Sequence, residues 1–529
     1  MTIGSVTGPP VEGVIESTLA CNQPFGDHAY IWERLRVQYR RRLEILAEFS
    51  KQARDLLSVF DDIDTDRYRL VLGDPVVRLA VDRAVCYIKV GGVPFPEAEL
   101  QAALIAGLSN LRNGSPVSPL AKGSLDRLPI YNRGPCPWVW SEDRAAHDPL
   151  GDIFRRLMKQ HHEGLQVVTP DLRVREMLVA GATLLHALCP RLAASAMSHV
   201  HLVAVVDANS PVRINSMTNP RIPGVFFLSP AVLTSPWQAA EYLLHEAMHL
   251  KFLDLENTHS LFSESYDETR SPLIRPHWNK VRQGNEGEWP INRVLTVTHV
   301  YTCLALFFSI VAKRSPNLEG EYGPLHRDPI RQLRRSFDRA HYLRYQLSCH
   351  EEQLGVAGRL MVRWLGEILM VFDTAAPPEG SYAHLLLDLY EREVDEIRTI
   401  AESTDMAVRH DAQLGQAIRK VAMEEISGAL EVTSMISAAP PADRVLQNHQ
   451  EALRALEVVN AGFKDSVDAL VAVRSSILQN LSEIPPVAYF LPRSNLRPNT
   501  PSEVLRDMVE GSTSQLNSVI KSARARAST

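Results

Sequence analysis

Within residues 235–253, which read SPWQAAEYLLHEAMHLKFL, two histidines stand four residues apart with a glutamate directly after the first. On an α-helix that spacing is one turn, so His245 and His249 leave the same face and can grip one metal ion. Glu246 points about 100° around the helix axis from His245, within reach of a water or substrate beside that ion. Imidazole pairs of this kind suit zinc or iron, and a carboxylate beside them serves as a general base or as a further ligand.

Such a motif needs a helix to present it. Ser235 offers a hydroxyl at the N-cap, Pro236 fits the first helical position, and Gln238 carries an amide that can reach back to the cap. Tyr242, Leu243, Leu244, Met248, Leu250, Phe252 and Leu253 make the helix apolar on nearly every side, which predicts burial. Buried imidazoles need partners, and a metal is one. Upstream, 199–206 (HVHLVAVV) and 224–228 (GVFFL) read as short strands, giving the order helix, strand, loop, strand, metal helix. A sheet edge beside such a helix can hold an extended peptide by main-chain pairing.

The third ligand decides the chemistry. The metzincin continuation is absent, because Phe252 and Leu255 stand where it requires glycine and histidine. A peptidase with two histidines and a glutamate would draw on Glu264, Glu268, Glu286 or Glu288, all in polar, turn-rich sequence. The other candidate is His299, on an apolar helix expected over 290–313.

The rest of the chain sets limits. Its 529 residues suggest two to four domains, and 45% hydrophobic with 22% charged residues is ordinary globular composition. A net charge of -6 argues against binding driven by phosphate neutralisation, so no nucleic-acid partner is expected. Six scattered cysteines without a C-x-x-C pair point to a reducing compartment. No secretion signal is read at the N-terminus, and the apolar run at 300–312 is too short to cross a bilayer, so no membrane partner and a cytoplasmic location are expected.

Helices are expected over 28–57, 76–89 and 96–111. The Arg40, Arg41, Arg42 run reads as an ion-paired face with Glu33, Glu44 and Glu48. A stretch rich in proline and glycine at 113–152, with Trp138 and Trp140, reads as a lid or a linker. Past 314 the chain is almost wholly helical, over 331–372, 382–410, 411–437 and 444–482, with a last helix opened by a capping box at Thr500 and Glu503. His341 and His350 read as ordinary helix residues. The expected fold is mainly α (α+β), a helical protein with a small β-sheet beside the His-Glu-x-x-His helix. The expected division is an N-terminal helical region (1–112), a linker (113–165), a metal-site core (166–320) and a C-terminal helical domain (321–529).

The run SMTNPRIPGVFFLSPAVLTSPWQAAEYLLHEAMHLKF, followed by SPLIRPHW and a helix containing HVYTCLAL, resembles the HExxH-type peptide-modification proteins found beside bacterial natural-product clusters. That family includes iron(II)- and 2-oxoglutarate-dependent peptide β-hydroxylases. The resemblance covers roughly residues 200–320. Gly224, Leu244 to His249 and Lys251 match the family pattern, with one residue more in the Pro272 to Arg275 element and one fewer between His299 and Tyr301.

The resemblance implies a metal set of His245, His249 and His299. Glu246 is then a base or, in a variant arrangement, the carboxylate ligand. Arg275 becomes the partner of the distal carboxylate of 2-oxoglutarate, with Arg270 and Arg282 as substitutes. The function it implies is hydroxylation of an amino-acid side chain in a peptide or carrier-bound substrate, in natural-product biosynthesis. The alternatives are a zinc metallopeptidase with Glu246 as general base, and a non-catalytic helical binding protein.

Overall fold

The computed structural model describes residues 11–61, 68–69, 72–90, 128, 137–140, 155–160, 164–207, 214–280, 287–372, 375–378, 382–403, 410–436, 462–489 and 500–527. The helix expected over 96–111, nearly all of the stretch at 113–152, the start of the helix expected over 444–482, Arg282 and Glu286 lie outside these residues. The fold is mainly α with a small mixed sheet, of the α+β class.

The described chain begins with helices α1 (Val11–Cys21), α2 (His28–Ala47), α3 (Lys51–Phe60) and α4 (Pro75–Lys89). The pattern over 28–57 reads as one helix in the sequence, but the chain divides it at Ser50. The Ser50 hydroxyl accepts from the backbone N–H of Ala53 at 3.3 Å, an N-cap that starts α3 afresh. Next come β1 (Trp138–Val139), β2 (Val167–Val168), α5 (Leu172–Leu188), α6 (Pro190–Met197), β3 (Leu202–Val206), β4 (Ser216–Thr218) and β5 (Val225–Leu228).

In the sheet the strand order is β1-β3-β5-β4, with β2 also on β3. β3 pairs in parallel with β1 and β5, and antiparallel with β2; β4 pairs antiparallel with β5. Every residue of β3 and β5 is buried, which explains their continuous apolar runs: a parallel strand covered on both faces has no polar side to show. β5 follows Gly224, whose φ of +76° and close approach to the Gly73 carbonyl leave little room for a side chain.

Helix α7 (Pro236–Thr258) carries the His-Glu-x-x-His motif and packs against α2, α5, α6 and the sheet. The Ser235 hydroxyl accepts from the Gln238 N–H at 3.3 Å, as the sequence predicts. The Gln238 side chain turns instead to the Thr234 hydroxyl, 2.6 Å away. After α7, α8 (Ile291–Tyr322) runs well past the expected end at 313 and carries Pro316 inside it. It is the one helix among the described residues long and apolar enough to cross a membrane, and 89% of its most apolar window is buried, as in a core helix. The pattern over 331–372 becomes two helices, α9 (Pro329–Cys349) and α10 (Val356–Val371). The break falls beside Gly355, where a Cβ would sit 2.3 Å from the Ser260 carbonyl oxygen.

The last helices are α11 (Leu386–Ser403), α12 (Ala412–Met435), α13 (Phe463–Ser482) and α14 (Pro501–Ala527). α12 packs on α13 and α14, and α11 packs on the same two. The capping box closes in both directions: Thr500 N–H donates to Glu503 at 2.6 Å, and Glu503 N–H donates to the Thr500 hydroxyl at 3.2 Å.

The chain divides into two compact units. The first comprises 1–266, 295–340 and 351–373, and the second 267–294, 341–350 and 374–529. The N-terminal helices thus share a unit with the motif, where the sequence suggests separate regions. The second unit takes in 267–294 and little of the chain between 321 and 373.

Candidate metal centre

α7 holds its position through two buried charged residues, Lys251 and Asp254. Lys251 is fully buried and donates to the Gly26 carbonyl at 2.7 Å, the Ser195 hydroxyl at 2.8 Å and the Leu19 carbonyl at 3.4 Å. Burial pulls its pKa down to about 8. Asp254 accepts from Arg78 at 2.6 Å and meets His199 Nδ1 at 2.7 Å. Burial alone would raise the Asp254 pKa, but Arg78 and then His199 hold it below the usual carboxylate range. Trp32 stacks on His199 with rings 10° apart. These contacts tie α7 to α2, α4, α6 and the 19–26 segment, fixing the helix that presents the motif.

The motif itself forms a compact donor set. His245 Nε2 and His249 Nε2 lie 3.2 Å apart, and Glu246 Oε1 is 3.7 Å from His245 Nε2. All three ligand atoms fall within 4.8 Å of one another. Ligands about 2.1 Å from one ion lie about 3.0 Å apart at a right angle and about 3.4 Å apart at the tetrahedral angle. The 3.2 Å imidazole pair falls between these values and the 3.7 Å separation of Glu246 Oε1 from His245 Nε2 is wider, so the group could hold a single divalent ion once the carboxylate closes in. The His245 pKa is lowered by burial, against the opposing pull of Glu246, so the ring is a neutral imidazole with a lone pair to give at neutral pH. The two histidines are half-buried, which leaves a way in.

Glu246 differs from the buried Asp254, which Arg78 pairs. Its residue is 2% exposed, and its one hydrogen bond comes from the Thr218 hydroxyl to Oε2 at 2.5 Å. Among the described residues no lysine or arginine pairs with it. A buried carboxylate without a cation is costly, and a metal ion on Oε1 would supply the missing charge.

No other described histidine, cysteine, aspartate or glutamate joins this group, which corrects the expected ligand set. His299 is fully buried elsewhere in the first unit, its ring against Phe252 and Trp364 at centroid distances of 6.3 and 6.2 Å. Among the described residues neither of its nitrogens has a hydrogen-bond partner. Burial, then the charge of Lys251, keeps its pKa well below the usual value. Sequence reading fails here because an apolar helix reveals a histidine without revealing which way it faces. Glu264 does not join the group either, and Glu268 and Glu288 belong to the second unit.

Arg275 also belongs to the second unit, where its guanidinium pairs with Glu510 at 3.0 Å. Arg270 is largely exposed beside Asp267. Thr218 is the site residue that the sequence reading misses. Its strand is three residues long, too short for alternation to stand out, although SMT lies within the run that carries the resemblance. No protein-family model matches this sequence, and no curated protein matches it.

Proposed function

We propose that the chain is a mononuclear iron(II)-dependent oxygenase that uses 2-oxoglutarate to hydroxylate an amino-acid side chain of a peptide or carrier-bound substrate. The observation that carries this reading is the donor set: two imidazoles and one carboxylate within 4.8 Å. Two histidines and a carboxylate on one face of the ion, with the other positions open, is the ligand pattern of non-haem iron oxygenases. Here Glu246 takes the carboxylate place that the resemblance gives to a third histidine.

Within this reading the protein's own residues divide the work. His245 and His249 bind as neutral imidazoles, and Glu246 adds a negative charge that favours a divalent ion over a proton. Lys251 and Asp254, through their buried partners, keep the two imidazoles in register. Iron(II) with the 2-oxo acid would supply the oxidation, with one oxygen atom of dioxygen ending in the new hydroxyl and the other in succinate. The co-substrate is carried by the sequence resemblance alone, since Arg275 is engaged by Glu510.

A second reading draws on the same geometry. Glu246 Oε1 carries no hydrogen bond, so this oxygen is also suited to act as a general base toward water, as a zinc metallopeptidase requires.

Metal analysis combined with a succinate-release assay on a panel of peptides separates the two. The oxygenase reading expects one iron per chain, succinate formation that needs 2-oxoglutarate, and loss of both in His245→Ala. Zinc with peptide cleavage and no succinate would replace it with the peptidase.

A further inference from the structure

We propose that Thr218 is the positioning residue of this centre: by holding Oε2 of Glu246 it turns the carboxylate so that Oε1 alone meets the cation. The inference rests on the metal-centre reading above and adds a residue outside the motif.

Strand geometry brings Thr218 there. β4 is the last strand in the order β1-β3-β5-β4, and Thr218 lies opposite Phe226 on β5. Successive side chains of a strand point to opposite faces. Met217 packs into the apolar cluster that contains Val225 and Phe227, so Thr218 is delivered to the other face, where its hydroxyl meets α7. The 2.5 Å bond is short, as expected for a hydroxyl donating to an ionised carboxylate.

The consequence is a division of labour between two oxygens. Oε2 accepts from a neutral donor that brings no charge, while Oε1, without a hydrogen bond among the described residues, faces His245 at 3.7 Å. A neutral hydroxyl orients the carboxylate and leaves its charge intact for the ion. An arginine or lysine in that place would have neutralised it. One-oxygen ligation also leaves more positions on the ion open than a two-oxygen grip would.

The test uses the full chain stripped of metal, titrated with cobalt(II) against a chromophoric chelator, with the visible spectrum of the bound ion as a second readout. Wild type and Thr218→Ser keep the hydroxyl and are expected to agree within about threefold in Kd, with the same spectrum. Thr218→Val and the milder Thr218→Ala are expected to weaken cobalt binding about 10–100-fold, the usual cost of losing a partner behind a metal ligand, and to change the spectrum. In a Glu246→Ala background the same changes at 218 are expected to have no further effect, because Thr218 acts through Glu246. Wild-type affinity and spectrum in both Thr218→Val and Thr218→Ala would overturn the proposal, as would an effect that persists without Glu246. Wild type binding cobalt no better than His245→Ala would overturn the metal centre itself, and the role of Thr218 with it.

Discussion

Two sites in this protein, one in each unit, bury glutamates and treat them in opposite ways. In the second unit, Glu393 on α11 and Glu425 on α12 are each 1% exposed. Arg474 on α13 binds both, donating to Glu425 at 2.6 Å and to Glu393 at 3.1 Å. Tyr390 donates to Glu425 Oε2 and Thr513 to Glu393 Oε2, both oxygens that Arg474 also reaches, and the Lys280 ammonium lies 3.8 Å from Glu393 Oε1. In the first unit, Glu246 has one hydroxyl and, among the described residues, no cation. The bundle network carries two negative charges and two positive ones and is complete as folded. The α7 site sets a carboxylate without a cation among the described residues beside two imidazoles. An ion at the α7 site would supply the charge that Arg474 and Lys280 supply in the bundle.

The comparison breaks first, and most visibly, at Arg474. Arg474→Leu leaves two buried carboxylates without their cation and is expected to destabilise the second unit by about 3–5 kcal/mol. Chemical denaturation would show this, with cobalt binding at the α7 site unchanged. A loss under about 1 kcal/mol would mean that water already reaches the network.

Glu246→Gln should behave in the opposite sense. Removing a buried charge that has no cation is expected to leave metal-free stability unchanged or to raise it, by about 1 kcal/mol, while cobalt affinity falls at least about tenfold. A metal-free protein destabilised as strongly as Arg474→Leu would show that Glu246 is a structural carboxylate like Glu425.

Acid sharpens the contrast with a smaller effect. Burial, then the charges of His199, Arg69 and Lys251, pull the His28 pKa down to about 4. His199, His201 and His299 in the same unit are lowered by burial as well. An unfolded histidine titrates near about 6.5. Between that value and about 4 the unfolded chain therefore binds protons that the folded chain refuses, and stability drains away as pH falls. Denaturation midpoints of the metal-free protein at pH 7.5, 6 and 5 should decline in that order. A flat profile would mean that these histidines take up protons in the folded state.

Much of this was legible before any coordinates. The Ser235 cap, the Pro236 start and the one-turn spacing of His245 and His249 are local features, and local rules read them well. The apolar runs of β3 and β5 announce themselves for the same reason. What escaped depends on tertiary partners. Lys251 stands in the sequence only as a match to the family pattern, and its partners Gly26 and Ser195 come from distant parts of the chain; Arg474 looks like any helical arginine until Glu393, Glu425 and Ser512 from three other helices meet it. His299 was misassigned because a helix with apolar residues on all sides gives a single histidine no direction. Thr218 was missed because its meaning lies in a hydroxyl meeting a residue 28 positions away.

The central claim, that His245, His249 and Glu246 together hold one divalent ion, is tested most directly by X-ray absorption on the protein loaded with a single equivalent of iron(II) or cobalt(II). The account predicts a first shell of oxygen and nitrogen at about 2.0–2.2 Å with the multiple-scattering signature of two imidazoles, reduced in His249→Ala. A bound ion with one imidazole or none, or a protein that retains no ion after desalting, would contradict it.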